Sequence, residues 1–307
     1  MPVSVLLTRK AGPHTPVSAE LQLGVLGEDQ SLADRSSPLP LRMTIDGQSA
    51  GELVVEPGTT IVSLSAQQAA DLLAALAKSA SIAWSDGARA WRLSSAGAAA
   101  VLEQMDAFQG RPGTPGALLR KGARDEGSVL PPVPAPVLQA AGVPADDSVR
   151  LPASRLNTLR AALLASAQAC AGFQPGATAP EISLRRLSAT KWLASMPCTV
   201  TAYNDGAAYW VVKAAAPYTP QLVALHASDY ADGTLRASMK LHSSGDCWSF
   251  AVWTWDGKRF VPTAQETTGA CKSIAPDGAW SLPLLVSTVR PAPAASAATR
   301  TPLSRGH

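Results

Sequence analysis

The chain has 307 residues, 46% of them hydrophobic and 16% charged, and a formal net charge of +3. That length is comfortable for two domains. The 18 arginines among its 26 basic residues are scattered, so no basic cluster suggests a nucleic-acid footprint, and no run reaches the roughly 18–20 apolar residues of a spanning helix.

In chain order, residues 3–7 and 17–26 alternate as strands around Gly12-Pro13. Residues 39–45 and 52–55 flank Asp46-Gly47, a hairpin signal. Ser65 with Gln68 forms a capping box, and Ala69, Leu72, Leu73 and Leu76 then fall on one helical face. Trp84 and Trp91 bracket a second hairpin turn at Asp86-Gly87. A second helix is expected over 95–108, with Ala98, Val101, Leu102 and Met105 inward. Residues 111–150 are rich in Pro and Gly and read as an extended linker. Ser154 is expected to cap a helix carrying Leu156, Leu159, Leu163 and Ala167 on one face, and a short helix is expected over 181–188.

From Lys191 to Arg290 the pattern turns to β, with strands expected at 191–203, 207–215, 221–229, 234–242, 247–255, 258–264 and 281–289. The turns are Asn204-Asp205-Gly206, Asp232-Gly233, Gly245-Asp246 and Asp256-Gly257. Residues 291–307 read as a disordered tail. The expected fold is therefore α+β in two domains. Residues 1–110 form a small sheet or sandwich with two packed helices, 111–150 a linker, and 151–290 an antiparallel β domain with a leading helix.

The four cysteines, Cys170, Cys198, Cys247 and Cys271, lack the Cys-x-x-Cys and His spacing of a zinc site. Disulfides are the leading expectation, with buried thiols and zinc as the alternatives. Of three connectivities, the expected one joins sequence neighbours, Cys247–Cys271 and Cys170–Cys198. The start of the chain does not read as a signal peptide, because its apolar run is short and its charges follow the run. That conflicts with an oxidising compartment.

Chemistry-bearing residues are sparse. His242, Asp246 and Cys247 lie close in sequence, but Asp246 follows a turn glycine, where Asp bonds backbone. His226 and Asp229 are three apart in a strand and face opposite sides. Nothing matches a phosphate loop, a dinucleotide fingerprint, a nucleophile elbow, a zinc-protease helix or a calcium loop. No catalytic residue, cofactor or metal is therefore assigned. Trp253 and Trp255 share one strand face and could stack on a ligand, but Phe250 and Val252 make the other face apolar too. That favours a buried strand. Tyr203 is a further candidate for ligand stacking.

Three segments resemble domain-of-unknown-function family 1176. The first is Trp91 through Met105-Asp106, Gln109-Gly110-Arg111 and Gly113-Thr114. The second is Pro197-Cys198 through Ala202-Tyr203-Asn204. The third is Gly245-Asp246-Cys247, Trp253 to Gly257, Phe260 and Cys271. They occur in family order, over residues 3 to 290. The N-terminal half also resembles the invasion-associated locus B proteins. The family resemblance implies an exported, periplasmic proteobacterial protein. Members begin with a signal peptide and a strand bearing a Trp and a cysteine pair, so this chain is expected to start inside the family pattern, lacking its first strand. The leading expectation is a non-enzymatic protein that binds an envelope protein or cell-wall component. The alternative is an envelope hydrolase whose site the sequence does not expose.

Overall fold

The computed structural model describes residues 1–25, 32, 34–166, 170 and 181–292. The chain is α+β, and its described part divides into two compact units. Unit 1 comprises 1–134, 241–248 and 268–282, and unit 2 the remaining described residues.

Unit 1 opens with β1 (Val3–Arg9) and β2 (Val17–Leu23), then β3 (Leu39–Ile45), β4 (Gln48–Val55) and β5 (Ile61–Ser63). Helix α1 (Ala66–Ala77), β6 (Ile82–Ser85), β7 (Ala90–Leu93) and α2 (Ala98–Phe108) follow. The strands form a three-stranded sheet ordered β1-β2-β5 and a four-stranded sheet ordered β4-β3-β6-β7. Asp46 and Gly47 both take positive φ, 48° and 79°, the geometry that a two-residue turn between β3 and β4 needs. Ser65 Oγ accepts from the Gln68 amide while Gln68 Oε1 accepts from the Ser65 amide, so the capping box is complete. Trp84 and Trp91 face one another across β6 and β7, both fully buried. They pack with Leu21, Leu72 and Met43, and Ile274 and Ala275 complete this core from the far end of the sequence.

Unit 2 begins with β8 (Val137–Gln139), α3 (Ala153–Ser166), β9 (Ser183–Arg186), β10 (Lys191–Val200), β11 (Asp205–Lys213) and β12 (Gln221–Ala227). It continues with β13 (Asp229–Ala231), β14 (Thr234–Lys240), β15 (Trp248–Trp255), β16 (Phe260–Thr267), β17 (Leu282–Val286) and β18 (Thr288–Arg290). One sheet is ordered β12-β11-β10-β9 and the other β13-β14-β15-β16-β17, while β8 and β18 make a parallel pair. Leu159 and Leu163 of α3 are fully buried with Trp210 and the Cys170–Cys198 bond. A second core gathers Leu193, Val211, Leu235, Trp255 and Phe260.

Several expectations need correction. Residues 183–186 form strand β9, not a helix, because they pair antiparallel with Trp192–Ser195. The expected strand 281–289 is two strands, β17 and β18, in different sheets. On α2, Val101 points outward at 68% exposure, as does Phe108 at 82%, while Leu102 and Asp106 face the core. Residues 111–134 are not an extended linker. Arg111, Thr114, Ala117, Glu126 and Val129 are buried in unit 1. Unit 1 therefore runs past the expected boundary at 110 and also takes 241–248 and 268–282 from the stretch expected as one β domain. Ala167 and residues 293–307, most of the expected tail, lie outside the described residues.

What holds 111–134 in place is a buried ionic network. Arg111 donates through Nη1 to Glu126 Oε1 at 2.9 Å, through Nη2 to Gly12 O and Thr15 Oγ1, and through Nε to Gln109 Oε1. Arg9 donates to Asp106 at 3.2 Å and to Gly116 O. Asp106 Oδ2 accepts from the Leu118 amide, and Glu126 Oε2 from the Gly116 amide. Each buried charge has an opposite partner, which burial demands. Most of the 105–114 segment singled out in the sequence is thus a structural clasp between the first hairpin and the following loop.

Candidate functional site

The four cysteines form the expected bonds, Cys170–Cys198 and Cys247–Cys271. Thiolates are thus not offered to a metal. Among the described residues, the group of His, Cys, Asp and Glu close enough to share an ion is Asp246, Cys247 and Cys271, and its two sulfurs are bonded to each other.

Asp246 is 2% exposed and is a hub. Its Oδ1 accepts from Ser244 Oγ at 2.5 Å and lies 3.4 Å from His242 Nδ1. Its Oδ2 accepts from the Ser273 amide at 2.7 Å. The Ser244 hydroxyl, then the Ser273 amide and the His242 charge, hold its carboxyl below the usual carboxylate range, against the opposing effect of burial. Asp246 was expected to bond its own turn. It does so through Ser244 and also ties that turn to Ser273, 27 residues on.

His242 Nδ1 is also 2.7 Å from Ser244 Oγ. A histidine, a serine and a carboxylate therefore do meet, but in an order that does not activate the serine. Ser244 Oγ–H donates to Asp246 Oδ1, which leaves the serine oxygen to accept from His242 in its Nδ1–H tautomer. A general base must take the serine proton, and a carboxyl already held low is a weak base. None of the three lines a described cavity.

The groove that does suit a ligand is in unit 2. It has a volume of about 380 Å³ and is walled by Leu225, Met239, Phe250, Ala251, Trp253 and Leu284. Its floor is built by β15 and β16 of the five-stranded sheet, and their consecutive lining residues, Ser249, Phe250 and Ala251 with Gln265 and Glu266, come from both faces. Ala251 pairs directly with Gln265, so these two lining residues share a face. The β12 wall contributes three consecutive residues, Ala224, Leu225 and His226. Successive strand side chains alternate faces, so such a run means that the edge of the strand adjoins the groove. Phe250 and Leu284 are 37% and 69% exposed.

The groove also touches a serine, a histidine and a glutamate, Ser249, His226 and Glu266. Register separates two of them. Ser249 pairs with Thr267 and Phe250 with Glu266, so Ser249 and Glu266 point to opposite faces of the sheet.

The expected stacking residues part company. Trp255 is 1% exposed, tilted against Phe260 with Lys191 over its ring. Trp253 is half-buried, touches the same core and lines the groove. A bulge between Val252 and Trp253 shifts the register there. Tyr203 is 44% exposed and is absent from the groove. Its neighbour Asn204 has a structural role that turn geometry alone did not suggest. Its side-chain amide accepts from the Lys240 amide and donates to the Lys240 carbonyl, substituting for a strand partner.

The class so defined is a disulfide-bonded α+β protein with an apolar groove lined by strands of two sheets. A family model described as protein of unknown function (DUF1176) matches residues 1–287, and the chain belongs to that family. Neither a curated protein nor a solved structure matches it.

Proposed function

We propose that this is an exported, periplasmic, non-enzymatic protein that binds an apolar part of an envelope protein or cell-wall component in the groove over β14–β17. The single observation that carries this reading is the groove itself. It is largely apolar, and its Ser249 and Glu266 are held on opposite sheet faces. Ligand sites are typically concave and mostly apolar with few polar groups. Two disulfides support an oxidising compartment. Among the described residues, no helix is long and apolar enough to cross a membrane. The two units are proposed to be separate domains, each with its own core.

The test is binding of the apolar fluorophore N-phenyl-1-naphthylamine to the full oxidised chain. The Ala251→Glu substitution places a charge on the groove floor and should abolish binding while leaving the thermal midpoint within a few degrees. Unchanged binding by that variant would remove the groove from consideration. The second reading, an envelope hydrolase, draws on the His242–Ser244–Asp246 cluster. It requires Ser244→Ala to lose an esterase or amidase activity that the parent chain shows, and the proposal expects no such activity in either.

A further inference from the structure

We propose that the Cys247–Cys271 disulfide is directional: thiols attack it at Cys271, and Asp246 slows that attack by opposing the charge that must leave on Cys247. The two sulfurs sit in unlike surroundings. Cys247 is fully buried, whereas Cys271 is exposed. Asp246 Oδ1 lies 3.9 Å from Cys247 Sγ, and Ser244 and Ser273 lock that carboxylate in place. On the other side, Cys271 is followed by Lys272, also exposed.

Exchange needs a thiolate to attack one sulfur while the other departs with the electron pair. Attack from solvent reaches Cys271. A new bond forms between the reagent sulfur and Cys271 Sγ, the Cys247–Cys271 bond breaks, and Cys247 leaves as a thiolate. A second thiol of the reagent then attacks the mixed disulfide. The reagent is oxidised to its own disulfide, and both cysteines end reduced, taking up protons from solvent. The first departure is opposed, because it puts a negative sulfur beside a buried carboxylate where water screens little. A poorer leaving group leaves more slowly. The reverse attack, on Cys247, would leave the departing charge on exposed Cys271, where solvent screens it, which is electrostatically better. Burial of Cys247 closes that route. His242 Nδ1, 3.4 Å from Asp246, is the charged neighbour that would offset the carboxylate when protonated. The accessible sulfur is thus the electrostatically unfavourable one to attack. The protected bond ties together 241–248 and 268–282, the two late segments of unit 1.

The experiment is a timed exposure of the native full chain to dithiothreitol, with acid quench, alkylation and mass-spectrometric readout of each disulfide. Asp246→Asn should speed reduction of Cys247–Cys271 by about threefold, the effect of about one pKa unit in the leaving thiol at a fractional Brønsted slope near 0.5, and leave Cys170–Cys198 unchanged. An unchanged or slower rate overturns the proposal, as does equal acceleration of both bonds. A measurement on the unmodified chain stands even if that variant does not fold. After brief treatment with reduced glutathione, the trapped adduct should map to Cys271, and an adduct on Cys247 overturns the proposal.

Discussion

Two buried carboxylates, Asp106 and Asp246, each tie together segments distant in sequence. Asp106 is 2% exposed, pairs with Arg9 and accepts from the Leu118 and Leu119 amides. Asp106→Ala leaves a buried guanidinium without its partner, and such losses cost about 3–5 kcal/mol. Chemical denaturation should register that as a lower midpoint with an unchanged slope, and a change under 1 kcal/mol would show the pair to be incidental. Asp246 makes a pH prediction. Its carboxyl titrates lower in the folded chain than unfolded, so its stabilisation is whole above the unfolded value near 4 and drains away as pH falls through the folded value. The thermal midpoint should fall between pH 6 and pH 3 by less in Asp246→Asn than in the parent chain. Equal falls would contradict that sign. The sequence exposed Asp246 as a turn residue. Its bond to Ser273 was invisible because it joins residues that only the disulfide and the fold bring together.

Local signals were dependable where both partners sit within a few residues. The capping box of α1, the Asp46-Gly47 and Asp86-Gly87 turns, and most strands of 191–267 follow from short-range geometry. Two of the misread elements show the physical reason. Over 181–188, Ile182, Leu184 and Leu187 are spaced to suit a helix or a strand, and pairing of 183–186 with β10 decides. In α2, Val101 and Leu102 are equally apolar, and which one turns inward depends on the clasp that fixes Asp106. Leu102→Ala should therefore cost about 2–5 kcal/mol, whereas Val101→Ser should stay within about 0.5 kcal/mol, as surface changes do. Similar costs for both would mean that the helix faces are assigned wrongly.

At the scale of the molecule, the proline-rich run proved a poor guide to where one unit ends. Exposed residues 131–137 do carry the chain from unit 1 to unit 2, but unit 1 recruits two later segments. A protease cut within that run should yield two fragments that still co-elute under native conditions, because 241–248 and 268–282 remain packed with residues before the cut. Fragments that separate would show that those segments do not hold. The groove was legible only as Trp253. Its walls come from β12 and from β14 to β17, and pairing register, which composition does not encode, assembles them. The chain has five methionines. Met239 lines the groove, Met105 sits on α2 and is half-buried, and Met43 and Met196 are fully buried. Methyl-labelled methionine NMR during titration with N-phenyl-1-naphthylamine is therefore the most direct test of the binding reading. It predicts that the Met239 resonance shifts and saturates while Met43, Met105 and Met196 stay in place. A shift at Met105 with Met239 unmoved would place binding on α2 and contradict the account.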